Sequence, residues 1–156
     1  MTKHKILSGV ITTLITSATL PAYAQQCTPL PLVGGVGTEV KKTITTPSIP
    51  GPFGIKVARD NWNTDWSVPN PQRFTSYKAT IVSESTSDYS IKMYLKYPDE
   101  TADLYYEQND ITVQAGKPLE LKTSSRRNEQ PYQVNLFVGG ISSVGNEYRA
   151  SVYGCR

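Results

Sequence analysis

Histidine and cysteine are scarce in this sequence, with one histidine and two cysteines among 156 residues. The histidine is His4, so residues 25–156 offer no imidazole, the base that Ser-His-Asp and Cys-His catalysis uses near neutral pH. Zinc, haem and copper sites also lose their usual ligand, and the sequence implies no cofactor. The remaining routes to catalysis are paired carboxylates or a Ser-Lys or Tyr arrangement.

Long hydrophobic runs are also lacking. The apolar stretch 6–20 is shorter than the roughly 20 residues of a membrane-spanning helix. Two lysines precede it, and Ala22 and Ala24 after it supply the small-x-small pattern that signal peptidase cleaves. The pattern predicts a secretory signal peptide over residues 1–24 and a secreted or periplasmic protein with no membrane span in its mature part. An uncleaved anchor is the alternative.

Neither sign of charge is in clear excess outside the predicted signal peptide. The whole chain has 16 basic and 13 acidic side chains, and loss of Lys3 and Lys5 leaves 14 basic ones. No cluster of Lys and Arg is present of the kind that neutralises phosphates. We therefore expect no nucleic-acid partner, and expect instead a polysaccharide or a protein of the cell envelope or extracellular matrix.

The two cysteines, Cys27 and Cys155, lie near the ends of the predicted mature chain. In an oxidising compartment an even number of cysteines predicts a disulfide. A bridge that closes a loop of this length reduces the entropy of the unfolded chain, which is worth at most roughly 4–5 kcal/mol. We predict that this disulfide ties the two termini together.

Alternating apolar and polar residues dominate the rest of the chain. Residues 89–97 alternate most regularly, with Tyr, Ile, Met and Leu on one face and Ser, Lys and Tyr on the other. Residues 73–82 are predicted to form a hairpin with them. Turn residues recur every 8–12 positions, which predicts seven to nine short strands in a single antiparallel β-sandwich, jelly-roll or immunoglobulin-like, over residues 25–156.

Two shorter segments add to this prediction. Residues 28–37 are rich in Pro and Gly and are predicted to form an extended lead-in. Residues 113–119, a glycine turn between two short strands, are similar to a hairpin of jelly-roll and immunoglobulin-like adhesion domains.

A polar segment around two tryptophans is the main candidate for a binding site. An exposed indole can stack on the CH face of a sugar while amides and carboxylates bond its hydroxyls. This predicts a carbohydrate site formed by Trp62, Asn63, Asp65 and Trp66. Because both tryptophans share strand parity with Val68, the alternative is that both point into the core.

The same segment resembles part of a calcium loop, because Asn61, Asn63 and Asp65 alternate as its first ligands do. However, Trp66 stands where such a loop needs glycine, and Gln72 where it needs a bidentate glutamate. We predict no metal site.

Carboxylates are the one plausible route to an enzyme, since glycosidases use a pair of them. The candidates are Asp60, Asp65, Asp99 and Asp103. No spacing in the sequence places any two of them in one cleft, so we predict a non-catalytic binding module.

A stripe of Lys92, Tyr94 and Lys96 follows the polar face of the best strand. Such a stripe suits an acidic polysaccharide, although a solvated face that resists unwanted strand pairing has the same composition. The alternative function is a structural or adhesive subunit, in which residues 30–36 pair with another chain by strand addition.

Overall fold

The structure is a computed structural model that describes residues 25–46 and 61–156. These residues form nine strands: β1 (Cys27–Pro29), β2 (Glu39–Thr43), β3 (Asn63–Ser67), β4 (Ser76–Ser83), β5 (Ser87–Lys96), β6 (Ala102–Val113), β7 (Leu119–Ser124), β8 (Gln133–Gly139) and β9 (Glu147–Cys155). A 3-10 turn, Ile141–Ser143, separates β8 from β9. The predicted signal peptide (1–24) and Asp60 lie outside the described residues. Over the described ranges, no helix has the length and apolar character needed to cross a membrane.

The strands form two antiparallel sheets. Sheet I has the order β1-β9-β4-β7, and β2 also pairs with β9; sheet II has the order β3-β8-β5-β6. From β2 to β9, every connection crosses between the sheets except the one from β5 to β6. The predicted all-β antiparallel sandwich is therefore confirmed, and this strand order is that of a jelly roll.

The predicted hairpin between residues 73–82 and 89–97 is wrong, because β4 lies in sheet I and β5 in sheet II. Alternation shows which face of a strand is buried but not which strand lies beside it. Here the short connection at Glu84–Thr86 carries the chain across the core, so the buried faces of β4 and β5 belong to opposite sheets. The turn at Gly116 likewise joins β6 to β7 across the sheets, not within a hairpin.

The core lies between the sheets and follows the predicted alternation. The inward side chains of β5 and of the residue that follows it are at most 1% exposed: Tyr89, Ile91, Met93, Leu95 and Tyr97. They pack with inward residues of the other strands in one continuous cluster. Cys27 lies opposite Cys155 in the β1–β9 pair, and the predicted disulfide joins them.

Candidate functional site

The outer face of sheet II carries a shallow depression of about 500 Å³, which we call the platform. It is lined by Asn63, Asp65, Lys92, Tyr94, Lys96, Ala102, Asn135 and Phe137. Those on β3, β5 and β8 are outward residues, because their neighbours along each strand point into the core, and Ala102 is exposed at the start of β6. The regular alternation that builds the core therefore also builds the platform.

Strand register places these side chains in rows across the sheet. Phe137 is paired with Asn63 on one side and with Lys92 on the other. In the next row, Asn135 lies between Asp65 and Tyr94. Neighbouring strands are about 4.8 Å apart, so side chains within a row are close enough to contact one ligand together.

The aromatic part of the platform lies at its Phe137 end. The Trp62 ring stands edge-on to Phe137 with 5.5 Å between ring centroids. It also covers Gly139, two residues along β8, where any Cβ would overlap the indole. The indole N–H donates to the Thr45 carbonyl at 2.8 Å, so Trp62 is fixed as the half-buried side wall of Phe137.

Asp65 is the best-connected polar group of the platform. Lys96 Nζ donates to Asp65 Oδ1 at 3.0 Å, and Asn135 Nδ2 donates to the same oxygen at 2.8 Å. Burial alone raises the pKa of this carboxyl, but hydrogen bonds from Asn135, Lys96 and Gln133 outweigh it and lower the pKa below its usual value. Asp65 is therefore ionised and held in place at neutral pH.

A second ion pair lies at the β5–β6 side of the platform. Lys92 Nζ is 2.6 Å from Glu107 Oε1, and this hydrogen bond is the main cause of the raised pKa of Lys92. The same ammonium group lies 5.9 Å from the centroid of the Phe137 ring. Lys92 thus connects the charged and aromatic parts of the platform.

The edge strand β3 is fixed by a lysine from sheet I. Lys42 Nζ donates to the Asn63 carbonyl at 2.9 Å and to Thr64 Oγ1 at 2.7 Å. Burial lowers the pKa of Lys42. These bonds hold the strand that carries Asn63 and Asp65 in position beside β8.

The four sequence-predicted site residues therefore separate. Asn63 and Asp65 line the platform, and Trp62 forms its side wall. Trp66 is 0% exposed and donates its indole N–H to the Thr38 carbonyl at 3.0 Å, which corrects the expectation that both rings lie at the surface. The core alternative holds for Trp66 because it lies at an inward position of β3.

Sequence reasoning did not include Tyr94, Asn135 and Phe137 in the site. Tyr94 lies in the stripe between two lysines, which solvated-face patterning also explains. Asn135 and Phe137 alternate with the core residues Val134, Leu136 and Val138 of β8. The sequence signal that could have identified Asn135 and Phe137 is that both alternate with apolar core residues in one strand.

Three of the four carboxylates considered for catalysis, Asp65, Asp99 and Asp103, are paired with cations. Arg126 donates two bonds to Asp103, at 2.7 and 2.9 Å, and one to Asp99 at 3.2 Å. Its guanidinium carbon lies 3.9 Å from the centroid of the Tyr97 ring, and Glu129 is a third carboxylate partner at 3.0 Å. This cluster, the Arg126 clamp, ties the β7–β8 loop to the β5–β6 turn. Asp65 is held separately on the platform.

Asn61 serves structure and not a calcium loop. Its Oδ1 accepts hydrogen bonds from the Thr45 backbone N–H and hydroxyl, both at 3.1 Å, and its Nδ2 donates to the Thr43 carbonyl at 2.8 Å. In residues 25–46 and 61–156, no group of three or more His, Cys, Asp or Glu side chains is placed to hold a metal ion.

The lead-in is used inside the fold. Leu30 is 0% exposed and its N–H donates to the Val152 carbonyl at 2.8 Å. The Val33 N–H donates to Asp65 O, and the Ser67 N–H donates to Pro31 O, both at 2.9 Å. These hydrogen bonds occupy residues 65–67 of the β3 edge, so residues 30–33 already pair within this chain, which argues against the expectation that residues 30–36 offer a strand to another chain.

Comparison with models of known protein families finds no match, and comparison with curated proteins finds none either. Among solved structures, the chain is similar to two variants of CBM29-2, a family 29 carbohydrate-binding module. The first is 6% identical with a TM-score of 0.45, covering 85% of this chain and 92% of that chain. The second is 7% identical with a TM-score of 0.44, covering 85% and 93%.

The chain is also similar to the CBM22-1 xylan-binding domain of Xyn10C from Paenibacillus barcinonensis. That domain is 7% identical with a TM-score of 0.33, and the match covers 76% of this chain and 85% of that chain. Similarity at this level assigns neither a family nor a ligand to the chain.

Proposed function

We propose that this protein is a non-catalytic module that binds a polysaccharide on the platform and works outside the cytoplasm. The observation that carries the proposal is the composition of one open sheet face. Tyr94 and Phe137 lie in rows beside Asn63, Asp65 and Asn135. Aromatic rings offer apolar faces for the CH groups of a sugar, and the amides and the carboxylate bond its hydroxyls.

The shape of the site supports a polymer over a small molecule. The platform is shallow and open at the surface, whereas sites for small ligands are usually clefts that enclose most of the ligand. Three rows of outward side chains span about 13 Å along β5, from Lys92 to Lys96. A chain lying along the sheet can contact several rows at once.

The disulfide bond supports a location outside the cytoplasm. The Cys27–Cys155 disulfide joins the first and last strands, and such bonds persist in oxidising compartments. The predicted signal peptide at 1–24 agrees with this assignment.

The test is substitution of the platform aromatics. We expect the wild-type protein to be retarded by at least one polysaccharide in a native gel containing soluble β-glucan, mannan, xylan or pectin. Tyr94→Ala and Phe137→Ala should each lower the affinity about tenfold or more, equivalent to about 1.4 kcal/mol. Unfolding curves of each variant check that the fold is retained.

The matched control is Tyr153→Ala. Tyr153 is a half-buried tyrosine on the outer face of sheet I, with Lys78 Nζ 5.2 Å from its ring centroid, as Lys92 stands beside Phe137. We expect this variant to bind like the wild type. Retardation by no polysaccharide, or equal losses in all three variants, would contradict the proposal.

A further inference from the structure

The charges of the platform indicate the class of polysaccharide, an inference that rests on the proposed function. Its rim and floor carry two cations, Lys92 and Lys96, and two anions, Asp65 and Glu107. Each lysine has a carboxylate partner, at 2.6 Å for Lys92 and 3.0 Å for Lys96. The charges of these two ion pairs therefore cancel.

An acidic sugar would meet an unfavourable environment there. A uronate or sulfate group needs a cation with which to pair, and both lysines are already paired. Protonation of Asp65 would free Lys96 for an anion. The neighbours of Asp65 lower its pKa, so the carboxylate stays ionised and paired near neutral pH. A bound anion would lie close to two fixed carboxylates, and like charges at such separations repel.

Two lysines on the outer face of sheet I are paired differently from those of the platform. On the outer face of sheet I, Lys78 and Lys122 share the single carboxylate of Glu120, at 3.3 and 4.0 Å. These two lysines share one carboxylate, whereas the platform pairs its lysines one to one. The pairing of both lysines argues against the acidic polysaccharide, one of the two interpretations of the stripe of Lys92, Tyr94 and Lys96.

Uncharged hydroxyl groups suit the same side chains well. A hydroxyl both donates and accepts hydrogen bonds, and the platform offers acceptors on Asp65 and donors and acceptors on Asn63. The Nδ2 group of Asn135 is already used by Asp65 and Thr64, so Asn135 offers its carbonyl oxygen as an acceptor. An ammonium group has three N–H donors, and its ion pair uses one of them. Lys92 and Lys96 can thus donate to sugar hydroxyls without leaving their carboxylates.

We propose that the ligand of the platform is a neutral polysaccharide, and that Glu107 excludes acidic ones by keeping Lys92 paired. Glu107 lies on the edge strand β6 and is paired in register with Lys92. Removing its charge leaves Lys92 free to attract an anion, so the preference for neutral chains should depend on this side chain.

The test compares one polysaccharide with its own carboxymethylated form, which keeps the sugar backbone and carries carboxylates in place of some hydroxyls. The comparison of two charge variants of the protein then separates the effect of charge from that of the lost hydroxyls. We expect the wild-type protein to bind the neutral polymer at least about tenfold more tightly, with little dependence on salt concentration. Glu107→Gln should gain affinity for the carboxymethylated polymer by several fold at low salt and lose that gain at high salt.

Glu120→Gln is the matched control, because it makes the same change in net charge on the outer face of sheet I. It should leave the preference for the neutral polymer unchanged on the platform. Tighter binding of the carboxymethylated polymer by the wild type, or an equal gain in both variants, would overturn the inference alone. Binding of neither polymer would reject the proposed function and the inference with it.

Discussion

Trp62 and Trp66 show how differently two nearby copies of one residue can be used. Both donate the indole N–H to a backbone carbonyl, at 2.8 Å for Trp62 and 3.0 Å for Trp66. Trp66 is completely buried in the core, whereas Trp62 lies against Phe137 at the side of the platform. The same hydrogen bond therefore stabilises the core in one case and a surface aromatic pair in the other.

This difference predicts unequal costs for the same substitution. Trp66→Phe should lower the free energy of unfolding by about 2–4 kcal/mol, because it leaves a cavity in the core and removes the donor to the carbonyl of the half-buried Thr38. Trp62→Phe should cost about 1 kcal/mol or less, since the site is half exposed and water can reach the Thr45 carbonyl. Denaturant unfolding of the two variants measures both; equal losses would contradict these placements.

At the scale of elements, the Arg126 clamp fastens the loop between the two sheets that joins β7 to β8 onto the β5–β6 turn of sheet II. It joins Asp99 and Asp103 at the β5–β6 turn to the loop that precedes β8. The hydrogen bond from Arg126 is the main cause of the lowered pKa of Asp103, while that of Asp99 is lowered mainly by Thr101 and also by Arg126. The platform strands β5, β6 and β8 depend on these connections for their arrangement.

The clamp predicts a pH-dependent contribution to stability. A carboxyl whose pKa is lowered in the folded state stabilises the protein above its ordinary pKa of about 3.9, and this stabilisation is lost as the pH falls through the lowered value. Arg126→Gln should therefore lower the melting temperature at pH 7, and the difference from the wild type should shrink between about pH 4 and pH 2.

Lys41→Gln serves as the control for this experiment, because it breaks a single exposed ion pair with Glu147. Such pairs contribute little, so its melting temperature should match that of the wild type. A difference for Arg126→Gln that does not change with pH would assign the stabilisation to stacking on Tyr97 instead of charge.

At the scale of the whole molecule, the sequence predicts the class of the fold better than its connections. Alternation on residues 89–97 identifies the buried side of β5, and the positions of Cys27 and Cys155 predict the disulfide. Alternation does not predict which strands pair with β5. Its neighbours in the sheet are β6 and β8, and β8 begins 37 residues after β5 ends. A local pattern contains no information about such distant pairing.

The candidate site follows the same rule. Asn63 and Asp65 are found from sequence because they lie beside two tryptophans, but the register that brings Asn135 and Tyr94 next to them is set by three strands far apart in the chain. The ion pairs of the platform depend on that register as well. From sequence the stripe of Lys92, Tyr94 and Lys96 suits a solvated face or an acidic polysaccharide, and only the structure reveals that both lysines are paired with carboxylates.

The central claim is that the outer face of sheet II binds a neutral polysaccharide, and mapping of backbone amide shifts by NMR tests it most directly. The protein would be titrated with a soluble fragment of whichever neutral polymer retards it. We predict saturable shifts at Asp65, at Tyr94 and at residues 135–137, with none at Lys78 or Tyr153. Shifts confined to sheet I, or no shifts with any neutral fragment, would contradict the account.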